Sequence, residues 1–208
     1  MKPLYATVPS AFVDLPDADA ASRLRDGLFN LANYFSDARL AKELFADATA
    51  RYQAKDSTLR DRARRESQMY AREFIFALDY FVKELFVMTE HPSAPPPLKK
   101  NLADFNSRVP GIVDLRDSLH HLEDRLRGMA RNKRIKPQPL NKHKISGSAL
   151  VVTHIVGSTI VATSANGSHA EVHITRNTLE EMIVTLQQTI NALPWRKGTP
   201  QRIPRTDF

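Results

Sequence analysis

The chain is 208 residues long, 42% hydrophobic and 25% charged, values that suit one folded domain with a substantial core and exclude wholesale disorder. It contains no cysteine, which excludes disulfide frameworks, thiolate metal sites and cysteine nucleophiles. The formal net charge of +7 belongs to one segment: eight Lys or Arg and no acid fall between Arg125 and Lys144, and without them 22 basic residues face 23 acidic ones.

In chain order, residues 1–16 form an arm with no hydrophobic period. Nothing in "MKPLYATVPSAFVDLPD" has the continuous apolar run of a signal peptide, so the expected location is cytoplasmic. From Asp17 to about Lys55 the spacing is helical, with Leu24, Leu28, Leu31 and Phe35 on one stripe and Leu40, Leu44 and Phe45 on a similar one further on. Ser36 could cap a second helix or lie inside one long helix. Ser57 opens a charged lead into "MYAREFIFALDYFVKELFVM", residues 69–88, the longest apolar stretch. Its Arg72, Glu73, Asp79, Lys83 and Glu84 are too costly for a lipid-embedded span, so the stretch predicts the most buried helix of a bundle.

"HPSAPPPLKK" then breaks the pattern, because proline lacks a backbone donor and disfavours helix in the residue before it. A short helix is expected over about 97–107. After a second break at "VPGIVDL" a helix is expected from about Gly111 to Met129, its apolar stripe being Ile112, Leu115, Leu119, Leu122 and Leu126. The basic residues 131–147 read as a linker.

Beyond the linker the character changes. "ALVVTHIV", "TIVATS" and "HAEVHI" are short and β-branched, and Asn166-Gly167 suits a type I′ turn, so a three-stranded antiparallel meander is expected. "RNTLEEMIVTLQQTINAL" follows, with capping-box spacing from Asn177 to Glu180 and a helical face of Leu179, Met182, Ile183, Leu186, Ile190 and Leu193. Pro194 ends it, and residues 195–208 read as a flexible basic tail in which Trp195 could stack on a base or pin the tail to the core. The expected fold class is mainly α. A bundle of four to five helices spans residues 17–130, and a small appended antiparallel meander with a C-terminal helix (148–194) packs on it.

The stretch that points most directly to chemistry is "VDLRDSLHHLEDRL", residues 113–126. On a helix, Arg116, His120, Glu123 and Arg127 lie along one line, with Asp117, His121 and Asp124 along the next, both clear of the leucine stripe. Such a face can simply be solvated and laced with weak ion pairs. It can also be reactive: an imidazole beside Arg and carboxylates titrates near neutrality, and a guanidinium holds phosphate oxygens bidentately. The basic run Arg125, Arg127, Arg131, Lys133, Arg134, Lys136, Lys142 and Lys144 begins on this helix and suits a polyanion, either nucleic acid or an anionic membrane surface.

"RDSLHH" resembles the arginine-x4–6-histidine motif of the HEPN superfamily: Arg116, four intervening residues, then His121, with Asp117 where that family commonly carries Asn or Asp. The resemblance covers about residues 20–130. It implies a helical core that often dimerises so that two motifs face each other across a cleft. In active members it implies metal-independent RNA cleavage, with the arginine on the scissile phosphate and the histidine handling the proton of the attacking 2′-hydroxyl. Other members only bind nucleotides or partner proteins. Carried onto this chain, Arg116 would hold phosphate, Asp117 would orient it and His121 would be the general acid/base. Helical geometry places His120 nearer Arg116, so His120 stays as second candidate.

Two further readings stand beside this one. The same bundle could be a non-catalytic module that dimerises and binds nucleic acid or a protein partner. On the third strand His169, Glu171 and His173 share a face and could ligate zinc, although a hairpin's solvent face normally looks this way. No glycine-rich phosphate loop, G-x-S-x-G elbow or H-E-x-x-H helix occurs, and no cofactor is expected.

Overall fold

Two long helices carry the molecule. In a computed structural model that describes residues 13–53, 57–130, 133–139 and 150–197, α1 (Ala18–Arg51) and α2 (Ser57–Glu90) each run 34 residues, or about 51 Å at the α-helical rise. Asp17 starts α1, its carboxylate accepting from the backbone N–H groups of Asp19 and Ala20 at 2.9 and 3.3 Å. The helix does not restart at Ser36. That hydroxyl donates to the Ala32 carbonyl one turn back, at 2.9 Å, and the backbone ladder passes through.

The pair is antiparallel: Asn30 meets Glu84 and Tyr34 meets Tyr80 toward one end, while Arg51 meets Glu66 toward the other. The stripe of Leu24, Leu28, Leu31 and Phe35 is fully buried with Phe74, Leu78, Phe81 and Leu85 of α2. Despite this apolar core, no helix among the described residues is long and apolar enough to cross a membrane.

α3 (Pro97–Arg108) begins on proline, whose missing N–H would be unpaired there anyway. It buries Leu98 and Phe105, the latter ring 5.3 Å from that of Phe81. Gly111 then turns the chain at φ 84, where an added Cβ would lie 3.0 Å from the Glu171 carbonyl oxygen, so both conformation and space call for glycine.

The single helix expected to Met129 is instead two, α4 (Ile112–His120) and α5 (Leu122–Leu126), with His121 between them at φ −103, ψ 40. Helical hydrogen bonds continue across the break, His121 N–H to Asp117 and Arg125 N–H to the His121 carbonyl, both 3.0 Å. The stripe that should have carried one straight helix runs out of core: Leu115 is fully buried, whereas Leu126 is 67% exposed.

β1 (Met129–Ala130) and β2 (Lys133–Arg134) pair as a short antiparallel ribbon. The expected meander follows as β3 (His154–Val156), β4 (Thr159–Thr163) and β5 (His169–His173), paired in that order. Ile160, Ala162, Ala170 and Val172 join the helical core, while Val161 packs with Val151 on the opposite face, so β4 is buried on both sides. The β4–β5 connection is a three-residue loop, 165–167, rather than the two-residue turn expected. The Asn166 carboxamide oxygen accepts from the Ser164 hydroxyl and the Ser168 N–H, and this local bonding sets the loop.

α6 (Arg176–Ala192) is capped by Thr175, whose extended backbone lets its hydroxyl accept from the Thr178 N–H, and not by Asn177. It buries Leu179, Met182, Leu186 and Ile190. Trp195 belongs to the core and not to a mobile tail: it is 9% exposed, and its indole N–H donates to the Ile190 carbonyl at 2.6 Å. The backbone at Trp195 also forms an antiparallel bridge with Val13, and at 9% exposure the indole offers little surface to a base. Residues 198–208 lie outside the described residues.

Candidate nucleic-acid interface around the Arg116 helix

The helix that carries the arginine–histidine motif is seated by its neighbours on two sides. Its buried Ser118 hydroxyl donates to the Thr163 carbonyl of β4 at 2.9 Å, and Leu115 and Leu119 enter the core. The opposite side meets α2. There Asp79, only 2% exposed, faces two cations: Lys83 Nζ at 2.7 Å and Arg116 Nε at 3.2 Å. Arg116 also reaches Asp117, with Nη1 2.9 Å from Oδ1. The arginine is thus clamped between a buried carboxylate of α2 and its own helical neighbour, with 23% of its side chain left in solvent.

The two histidines part company. His120 lies on α4 with its ring 5.1 Å from that of Phe76, tilted by 50°. His121 occupies the break between α4 and α5, and both side chains are exposed. The break takes His121 off the regular helical track, so an ideal-helix projection of that stretch does not describe it. Sequence reasoning chose Arg116, Asp117, His120 and His121, and the structure joins Arg116 to Asp117 directly. The partner it missed is Asp79. One signal was available: Asp79 is the single charge in the run FIFALDYFV, residues 74–82, four residues before Lys83.

The basic run divides three ways. Arg125 is 3% exposed and donates from Nη1 to the Met129 carbonyl at 2.8 Å, so it ties α5 to β1 and is withdrawn from any ligand surface. This corrects its assignment as a nucleic-acid contact. Arg127, Lys133, Arg134 and Lys136 are exposed. Arg131, Lys142 and Lys144 lie outside the described residues.

Part of what read as a linker is held against the sheet. Ile135 N–H donates to the Gly128 carbonyl and Gln138 N–H to the Gly167 carbonyl, both at 2.8 Å. The His169 imidazole bridges the Gln138 carbonyl through Nε2 (2.9 Å) and the Thr163 hydroxyl through Nδ1 (3.3 Å). These bonds present Lys133, Arg134 and Lys136 from a seated backbone.

They also account for the suggested metal ligands. His169 is engaged as above, and His173 Nδ1 contacts the Thr159 hydroxyl at 2.9 Å. Among the described residues no group of three or more His, Asp or Glu is arranged to hold a metal ion. The strand-face histidines are cross-strand hydrogen-bonding groups, each opposite a threonine of β4.

Comparison with known proteins returned no matching family model, no matching curated protein and no matching solved structure.

Proposed function

We propose that this protein is a HEPN-like RNA-binding protein whose contact surface is the exposed basic segment following the Arg116 helix. The observation that carries this reading is the seating of Lys133, Arg134 and Lys136 against the β4–β5 loop through Gln138 and Gly167. A solvated linker needs no such attachment, whereas a phosphate-tracking surface gains from cations already fixed in place. The chain outside the basic run is electrically balanced, so a polyanion is drawn to that segment.

Metal-independent cleavage of the bound RNA is the finer reading. It rests on Arg116, held by Asp79 and Asp117, and on the exposed imidazole of His121 at the helix break. In this role Arg116 would offer its solvent-facing edge to the scissile phosphate, and His121 would exchange a proton with the 2′-hydroxyl. The non-catalytic alternative, a dimerising module, draws on the same Arg116: its charge is already answered by two carboxylates. Exposed Tyr80 and Val113, on the two helices that carry the clamp, supply apolar surface for a second copy.

The deciding experiment measures binding of a single-stranded oligoribonucleotide against salt, then incubates the same RNA with chelator-treated protein. Replacing Lys133, Arg134 and Lys136 together by Gln is expected to reduce the slope of log affinity against log salt by about 2, because each neutralised phosphate contributes roughly 0.7 on single strands. An unchanged slope overturns the RNA-binding surface. RNA left intact by the wild type, while binding persists, selects the non-catalytic module.

A further inference from the structure

A second candidate site lies at the far end of the long helix pair, away from the motif helix. The end of α1, the start of α2 and the edge strand β3 enclose a cavity of about 430 Å³ lined by Tyr52, Gln53, Arg64, Gln68 and His154, among others. Among the described residues its lining includes no carboxylate. Arg64 and His154 are exposed and pair with no acid among the described residues. The neighbouring carboxylate on α2, Glu66, is already held by Arg51 at 2.6 Å and Arg62 at 2.7 Å. Hydrogen bonds from those two guanidiniums, Arg62 first, keep it below the ordinary glutamate range. The Glu66 charge is therefore answered locally, while the Arg64 guanidinium remains open to an anion.

We infer that this cavity binds one unstacked nucleotide of a single-stranded RNA. The Tyr52 ring, 41% exposed at the end of α1, offers a face for the base. The carboxamides of Gln53 and Gln68 supply paired donors and acceptors for a base edge, and Arg64 with His154 meets the phosphate. An acidic peptide would use Arg64 but not the aromatic face and both amides together, so the lining favours a nucleotide.

This inference rests on the RNA-binding reading, and the test separates the two. Affinity for a labelled oligoribonucleotide is measured by fluorescence anisotropy for wild type, Tyr52→Ala, Arg64→Gln and His154→Gln. Nucleoside monophosphate and inorganic phosphate are titrated separately and followed by NMR. Each substitution sits at an exposed position, so folding is retained, and circular dichroism checks it. Tyr52→Ala and Arg64→Gln are each expected to weaken oligoribonucleotide binding about tenfold, and the monophosphate is expected to shift cavity resonances where phosphate alone does not.

Wild-type affinity in all three variants overturns the cavity site and leaves the basic segment standing. Equal binding of phosphate and monophosphate also overturns it, leaving an anion pocket that reads no base. If the wild type binds no oligoribonucleotide, the RNA reading fails. The monophosphate then decides the cavity: binding lost in Tyr52→Ala sustains a nucleotide site, and no binding overturns it.

Discussion

Asp79 of α2 and Arg116 of α4 form the contact on which the motif helix turns. The carboxylate is 2% exposed, with Arg116 Nε at 3.2 Å on one oxygen and Lys83 Nζ at 2.7 Å on the other. Removing one partner of a buried pair leaves the other charge uncompensated, a larger loss than the pair's own net worth. Arg116 and Lys83 both retain solvent contact, which tempers the loss. Asp79→Ala is expected to destabilise the fold by roughly 2–3 kcal/mol. A double-mutant cycle of Asp79→Asn with Arg116→Gln, read by urea denaturation, is expected to give a coupling of about 1 kcal/mol. Additive losses would show that the contact is incidental.

The two histidines are expected to separate by phenotype. His120→Ala removes a ring contact with Phe76 and is expected to lower stability by about 0.5–1 kcal/mol while leaving RNA chemistry intact. His121→Ala, at an exposed helix break, is expected to leave stability within about 0.5 kcal/mol and to abolish any chelator-resistant cleavage. The reverse pattern would move the acid–base role to His120.

Arg125 tests whether burial outranks sequence position. It lies within the basic run, yet its guanidinium is spent on the Met129 carbonyl. Arg125→Ala is expected to cost about 1–3 kcal/mol in denaturant titrations and to leave the salt slope of RNA binding unchanged. A slope reduced as much as by a surface lysine would place Arg125 in the contact surface after all.

Gly167 controls the seating of the basic segment. It adopts φ +88, and an added Cβ would fall 2.1 Å from the Lys136 carbonyl oxygen. Gly167→Ala is thus strained in backbone and blocked in space. Hydrogen exchange is expected to speed up at Gln138, whose N–H donates to the Gly167 carbonyl, with RNA affinity falling about three- to tenfold. Unchanged protection at Gln138 would show that the attachment contributes nothing.

Glu84 provides a pH test remote from either proposed surface. Partial burial between α1 and α2 raises its carboxyl above the ordinary glutamate range, although the Asn30 amide opposes this by donating at 3.1 Å. The folded state therefore holds its proton more tightly than the unfolded state. Stability falls as pH rises from the unfolded value through the raised folded one, and the penalty is complete above that window. Glu84→Gln removes the penalty and keeps an acceptor for Asn30. Its melting temperature is expected to exceed wild type by roughly 1–2 °C at neutral pH and to match it below the window. A difference independent of pH would assign the effect to packing instead.

Much of the architecture was legible because it is written in local periods. The Leu24–Phe35 stripe of α1, the apolar run of α2, the face of α6 and the alternation in β5 each repeat within a few residues, and the structure has all of them. Of the second α1 stripe only Phe45 is buried, and Leu40 is exposed. Boundaries were less legible where a local hydrogen bond decided them: Thr175 took the cap expected of Asn177, and Asn166 enlarged its own turn. Neither outcome changes a period, so neither leaves a trace in the pattern.

By itself the sequence determined a mainly helical fold with a three-stranded meander, the place of the basic segment and the polar character of the Arg116 helix. Each follows from residue type and short-range spacing. Only the tertiary structure decided that Arg116 answers a buried Asp79, that His121 leaves the helical track, that Arg125 turns inward and that Trp195 is pinned to Ile190. The reason is physical. Periodicity tells a side chain which face it occupies, but what it meets depends on elements distant in sequence, and that partner sets whether a charge is offered to a ligand or consumed by the fold.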